Sequence, residues 1–162
     1  MTDRKQEFDE ILAHFHTAML VTRAQDGTLR ARPMAIAGKE ANGDLWFAAE
    51  IDSAKVDEML GENQVCASMQ ASSRFLSVSG RGEIVRDRKR IEQMWKPIWK
   101  AWFPNGKDDP KLVLLRLVAS EAEYWDQHGA KGLSYLIEGA RAVLRGEPAK
   151  PTSDKQHAKL QL

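Results

Sequence analysis

The feature that most constrains this chain is the close spacing of its turn signals. Gln25-Asp26-Gly27, Asn42-Gly43, Gly61-Glu62-Asn63 and Ser72-Ser73 divide its first half into short apolar segments. Asp-Gly and Asn-Gly supply the backbone conformations that tight turns between antiparallel strands need. The segments between them read as strands: Ala18–Thr22, Leu29–Ala37, Leu45–Ala49, Gln64–Gln70 and Phe75–Val85. Further on, Leu112–Val118 is strongly apolar, and Glu123-Tyr124-Trp125-Asp126 reads as its continuation after a bend. Six or more short strands interrupted by helices predict a mainly β (α+β) fold, either an antiparallel barrel or an open sheet.

The helices have their own signals. A first helix is predicted from Asp3 to about Phe15, with Phe8, Ile11, Leu12 and Phe15 on one buried face. Asp52 or Ser53 caps a short helix through Leu60. Asp87 caps a third, whose apolar stripe is Ile91, Met94, Trp95, Ile98, Trp99 and Trp102. Pro97 must kink or break that stripe. Gly129 to Gly132 read as a loop and Leu133 to Leu144 as a last helix. One domain is expected over 1–146. The remainder, 147–162, carries prolines and charges without aromatics and reads as a flexible tail.

Charge and composition narrow the function. Lys and Arg total 24 against 23 Asp and Glu, a formal net charge of +1. A nucleic-acid binder shows a basic excess or stripe, so that class is excluded. No apolar run reaches membrane-spanning length, and Met1-Thr2-Asp3-Arg4-Lys5 lacks the apolar core of a signal peptide. A cytoplasmic protein without membrane contact is expected. Cys66 is the only cysteine, so no internal disulfide can form. His14, His16, His128 and His157 show no metal-ligand spacing, and there is no nucleophile elbow, dinucleotide loop or CxxC pair. Gly80-Arg81-Gly82 lies within a strand rather than ahead of a helix, so a bulge or bend accounts for its glycines.

Two segments carry candidate chemistry. Arg30-Ala31-Arg32-Pro33-Met34 lies in an extended stretch, and Asp52-Ser53-Ala54-Lys55 follows a strand and opens a helix. A strand arginine facing a serine and a lysine at a helix start can hold a phosphate. The helix N-terminus offers free N–H groups and a partial positive charge, and the side chains add full charges. Period two puts Arg30 on the face of Arg32. Solvated surface charge is the competing reading for all three cations. Trp95, Trp99 and Trp102 read as packing, in a core or dimer surface, rather than as a cofactor box.

The order of these pieces resembles a known family. The hairpin, the Arg-Pro-Met strand, the Leu45-Trp46-Phe47 strand and the Asp52-Ser53-Ala54-Lys55 helix start come first. Gly80-Arg81-Gly82-Glu83, Trp102-Phe103-Pro104 with Asp108-Asp109-Pro110, and Tyr124-Trp125-Asp126 follow. Together they resemble the pyridoxamine-phosphate-oxidase-like FMN-binding split-barrel family, in its general-stress-protein branch, over about Phe8 to Trp125. The resemblance implies a six-stranded antiparallel split β-barrel with flanking helices, a homodimer, and FMN in grooves at the dimer interface. It places the phosphate on Arg32, Ser53 and Lys55, and the flavin ring along Pro33, Met34 and Ala35. Ala48 and Ala49 match the flanking strand end, and Trp125 matches a tryptophan near the flavin.

The departures also carry meaning. The family's Ser-Arg-Lys phosphate element is Ser53-Ala54-Lys55 here, one cation short, and the oxidases' glutamine falls on Phe75. True oxidases follow their tryptophan with an arginine- and histidine-containing segment that grips the substrate phosphate. This chain has Asp126-Gln127-His128-Gly129-Ala130-Lys131-Gly132 instead. The resemblance therefore implies a flavoprotein that does not oxidise pyridoxamine phosphate. It leaves open an FMN-dependent oxidoreductase fed by a reduced nicotinamide, and a non-catalytic flavin binder acting as sensor or reservoir. A split barrel holding a deazaflavin or haem is a third reading.

Overall fold

In a computed structural model describing residues 3–127, 130–146, 148 and 157–162, the predicted turns return each strand onto a neighbour. The elements run α1 (Asp3–Ala13), β1 (Thr17–Arg23), β2 (Leu29–Ala35), β3 (Gly38–Lys39), β4 (Leu45–Glu50), α2 (Ala54–Gly61), β5 (Gln64–Ala71), β6 (Arg74–Val85), α3 (Arg88–Met94), β7 (Leu112–Asp126), α4 (Ala130–Arg145) and β8 (His157–Gln161). All strands join one antiparallel sheet in the order β2-β1-β5-β6-β7-β4-β3, with β8 added on β7. The mainly β fold is as expected, and the sheet curls into a half-barrel. The strand count is eight rather than six.

The two extra strands have different origins. The stretch 29–37, read as one strand, changes partner within it. Ile36 N donates to His16 O at 2.9 Å, and the next residue, Ala37, donates to Trp46 O at 2.7 Å. The chain thus leaves β1 and joins β4 as β3, stitching the two ends of the sheet together at this point. No ladder joins β2 to β4 along the rest of their length, and this gap is the split. The second extra strand, β8, lies in the segment read as a flexible tail. Ala158, Leu160 and Leu162 alternate with polar residues there, and Ala158 is buried opposite Tyr124. The prolines and charges just ahead of it mask that short alternation. Apart from Pro148, the rest of 147–156 lies outside the described residues.

The bend expected in the long last strand is a bulge in the β6–β7 ladder. Ser79 faces Glu121 and Gly80 faces Ala119, so Ser120 is the additional residue. A Cβ on Gly80 would stand 2.0 Å from Val118 O, so the backbones approach this closely only around a glycine. Buried Asp44 pins the bulge, accepting from Ala119 N and Arg116 Nε, each at 2.9 Å. Gly82 serves a different end, since its missing side chain makes room for Met59 of α2.

Two apolar clusters flank β4 and β7. Inside the barrel, Leu20, Phe47, Val78, Leu115 and Tyr124 pack with Phe8 and Ile11 of α1 and with Val56 and Met59 of α2. Outside it, Trp46, Leu112 and Leu114 pack with Ile91, Trp99 and Phe103. Each large apolar side chain buried this way contributes about 1.5–3 kcal/mol. Burial on both faces explains why Leu112–Leu115 reads as an unbroken apolar run. Asp87 caps α3 by accepting from Lys89 N at 2.9 Å. The tryptophan stripe breaks as expected: α3 ends at Met94, Lys96 is extended ahead of the proline, and Pro97 opens a short 3-10 helix, Pro97–Ala101. The last helix starts at Ala130 rather than after Gly132, the flanking good helix formers outweighing one glycine. Among the described residues no helix is long and apolar enough to cross a membrane.

Candidate functional site

The split between β2 and β4 forms a cleft of about 440 Å³, within the range of roughly 300–1,000 Å³ typical of small-molecule sites. Pro33, Met34 and Ala35 line it from β2, and Ala48, Ala49 and Glu50 from β4. Ser53 and Lys55 add polar groups from the start of α2, while Trp99, Trp102 and Phe103 supply an aromatic lining. The chain reversal after Glu50 brings the α2 start here: Ser53 N donates to Glu50 O at 3.1 Å, and Ile51 N to Lys111 O at 2.8 Å. Ala48 and Ala49 keep the β4 wall low, so room for a flat ligand follows from their small side chains.

The polar end favours an anion. Lys55 is half-buried and has no hydrogen-bond or ion-pair partner among the described residues. Burial, and then the nearby Arg32 charge, push its ammonium below its ordinary value of 10.5, while Glu50 and Glu58 draw it back. Ser53 occupies the N-cap position of α2, but its hydroxyl donates to Glu50 O at 2.7 Å and makes no cap bond. Asp52 does not cap either; it pairs with Lys111 Nζ at 2.9 Å on the surface. First-turn N–H groups of α2 are therefore left without a side-chain cap, beside an unanswered cation. The donor set suits a phosphate.

Arg32 is placed differently from expectation. It does not line the cleft. Its Nη2 lies 2.7 Å from Glu58 Oε2, and its Nη1 donates to Thr22 Oγ1. Arg30 reaches the other oxygen of Glu58 at 3.2 Å, so the two arginines do share a face. Glu58 is 6% exposed. Burial alone would raise its pKa, but the Thr22 hydroxyl and the Arg32 and Arg30 guanidinium groups together hold it below the usual value.

Trp125 is not brought to the cleft within one chain. It lies on β7 beyond Leu117, the last residue there that pairs with β4, and opposite Phe75 on β6. Its ring stacks on His157 with centroids 4.9 Å apart. His128 lies outside the described residues. Among the described residues no cluster of three metal-capable side chains occurs.

Sequence reasoning missed Glu50, Glu58 and the aromatic lining. Glu58 lies one helical turn beyond Lys55, a spacing that puts both on neighbouring positions of one face. The aromatic signal was Pro97, which ends α3 and redirects the chain across β4. Trp99 and Phe103 are buried, as a packing role requires, yet both line the cleft, and Trp102 beside them is 64% exposed.

The chain is similar to known proteins in sequence and in fold. Residues 3–150 match the model of a family described as pyridoxamine 5'-phosphate oxidase like. A putative general stress family protein from Xanthomonas campestris pv. campestris is 34% identical, with a TM-score of 0.65, covering 78% of this chain and 90% of its own. The general stress FMN/FAD binding protein from Xanthomonas citri is 33% identical, with a TM-score of 0.67, covering 79% and 92%. A putative general stress protein 26 from Jannaschia sp. CCS1 shares the fold along the full length of both chains, with a TM-score of 0.72 at 22% identity. A comparison with curated proteins gives no match.

Proposed function

Because the chain belongs to the pyridoxamine 5'-phosphate oxidase-like family, we propose that it is a general-stress-type flavoprotein that binds FMN. In this reading it acts as a cytoplasmic homodimer and an FMN-dependent oxidoreductase, and it is not a pyridoxamine-phosphate oxidase. The observation that carries the reading is Lys55, a half-buried cation without a partner among the described residues. It stands at an uncapped helix start in a cleft whose lining, apart from Ser53 and Glu50, is apolar. That combination suits a ligand with a flat apolar body and one anionic end. The similar Xanthomonas citri protein, described as FMN/FAD binding, supports a flavin. A single compact anion site favours the monophosphate.

FMN, when bound, supplies the capacity to take up and release electrons. The chain's own residues would bind and orient it. Lys55 and the first turn of α2 hold the phosphate, and the Pro33–Ala35 backbone lies along the ring edge. Ala48 and Ala49 leave space for the ring, and Trp99 and Phe103 exclude water from its apolar side. Ile98 and Trp102, 68% and 64% exposed near the cleft, are apolar groups that a second copy would cover, which supports the dimer.

Titration of the purified protein with FMN, followed by addition of a reduced nicotinamide, tests the reading. Stoichiometric FMN binding and consumption of many equivalents of nicotinamide per flavin are expected. Consumption that stops at one equivalent would overturn the oxidoreductase and leave a flavin binder. Failure to bind any flavin would overturn both.

A further inference from the structure

Glu58 is a buried ionisable group beside the cleft to which flavin binding assigns no task. It accepts from Thr22 of β1 and from Arg30 and Arg32 of β2, while Thr22 also accepts from Arg32. Four side chains from three elements thus form a closed set. Buried ion pairs are weak sources of net stability, because desolvation offsets their attraction and well-packed apolar residues serve as well. The placement of this set points to another role. Glu58 lies one turn along α2 from Lys55, and Arg32 directly precedes Pro33 on β2. The set joins the element that carries the anion-binding groups to the strand that carries the other wall of the cleft.

We propose that Glu58 is a positioning residue: by holding Thr22, Arg30 and Arg32 at once, it fixes the α2 turn bearing Ser53 and Lys55 relative to the β2 wall of Pro33, Met34 and Ala35. This rests on the flavin-binding reading above. A ligand that spans both parts of the cleft depends on their spacing, whereas one lacking the phosphate touches only the ring wall.

The test is Glu58→Gln, titrated with FMN and with riboflavin well below its unfolding temperature. Glutamine keeps the shape and an acceptor for Thr22 but loses the charge that holds two guanidinium groups. FMN affinity should fall about tenfold or more and riboflavin affinity less than about threefold, since misplacement of binding groups penalises the ligand that spans them. Arg30→Gln removes the more exposed arm. It should show the same split more weakly, and it decides the matter if Glu58→Gln does not fold. Unchanged FMN affinity, equal loss for both ligands, or tighter FMN binding through a released Arg32 would each overturn the proposal. Wild-type protein that binds neither ligand would overturn the flavin reading itself, and the positioning role with it.

Discussion

Arg32 and Lys55 are neighbouring cations with unequal partners: Arg32 lies 2.7 Å from Glu58, whereas Lys55 has no hydrogen-bond or ion-pair partner among the described residues. The like charge beside it makes the Lys55 ammonium more eager for an anion, while Arg32 is already satisfied.

Lys55→Ala should therefore weaken FMN binding far more than riboflavin binding. A charge-assisted contact to phosphate is worth roughly 1.5–3 kcal/mol, or about one to two decades in affinity. Calorimetric titration with both ligands gives the comparison. Equal losses would mean that Lys55 does not meet the phosphate.

The pH dependence follows from the same residue. Burial and then Arg32 lower its pKa below 10.5. Phosphate binding needs the protonated ammonium, so FMN affinity should be full at neutral pH and fall as pH rises through the lowered value. Riboflavin affinity should stay flat over that window. For the free protein the sign is opposite. Between the lowered value and 10.5 the unfolded chain holds this proton more tightly, so this group favours folding increasingly as pH rises there. Titrations across alkaline pH, paired with thermal melts of the free protein, would show both trends.

Gly80→Ala should destabilise the fold by about 1–3 kcal/mol, the usual cost of forcing an extra group into a packed site. The added methyl meets the Val118 carbonyl rather than a side chain that can swing away. Gly82→Ala presses instead on the flexible end of Met59 and should cost less. Urea unfolding of the two variants would rank them, and a reversed order would show that the bulge relaxes easily.

Pyridoxamine phosphate should not be turned over, even with FMN bound. That reaction needs the substrate's own phosphate clamped so that its reacting carbon lies over the flavin, and such positioning supplies much of the rate. After Trp125 the chain offers Asp126 and Gln127, and Gln127 N is tied back to Ser73 O at 2.9 Å. Lys131 is the first cation thereafter, and a flexible point charge is a poor substitute for an arginine fork. Release of pyridoxal phosphate over many turnovers would contradict this.

Much of the cleft was legible because it is built from local signals. The Asn42-Gly43 turn, the small residues Ala48-Ala49 and the Ser53–Lys55 helix start are read directly off the chain, and they meet because β4 leads straight into α2. What stayed hidden depends on partners distant in sequence. Periodicity puts Arg30 and Arg32 on one face, but it does not reveal that Glu58 and Thr22 wait across from them. Nor does it reveal the change of partner at Ile36, since a strand that switches neighbours keeps the same alternation throughout. Trp125 is a legible strand residue, but its distance from the cleft emerges only once β7 is seen as one unbroken strand running past β4.

The run from Leu29 to Lys39 works for two ladders in turn, and this sets where the chain can tolerate a change in length. A hairpin tip such as Gln25-Asp26-Gly27 can gain a residue while both flanking strands keep their pairing, because longer loops cost little. Between Ala35 and Gly38 there is no slack. One residue added or removed there would flip every side chain on one side of the exchange to the opposite face. The contacts of Met34 along the cleft or those of Gly38 on Trp46 would then be lost. Descendants of a common ancestor should hold this stretch to a constant length, while hairpin tips such as Gln25-Asp26-Gly27 vary.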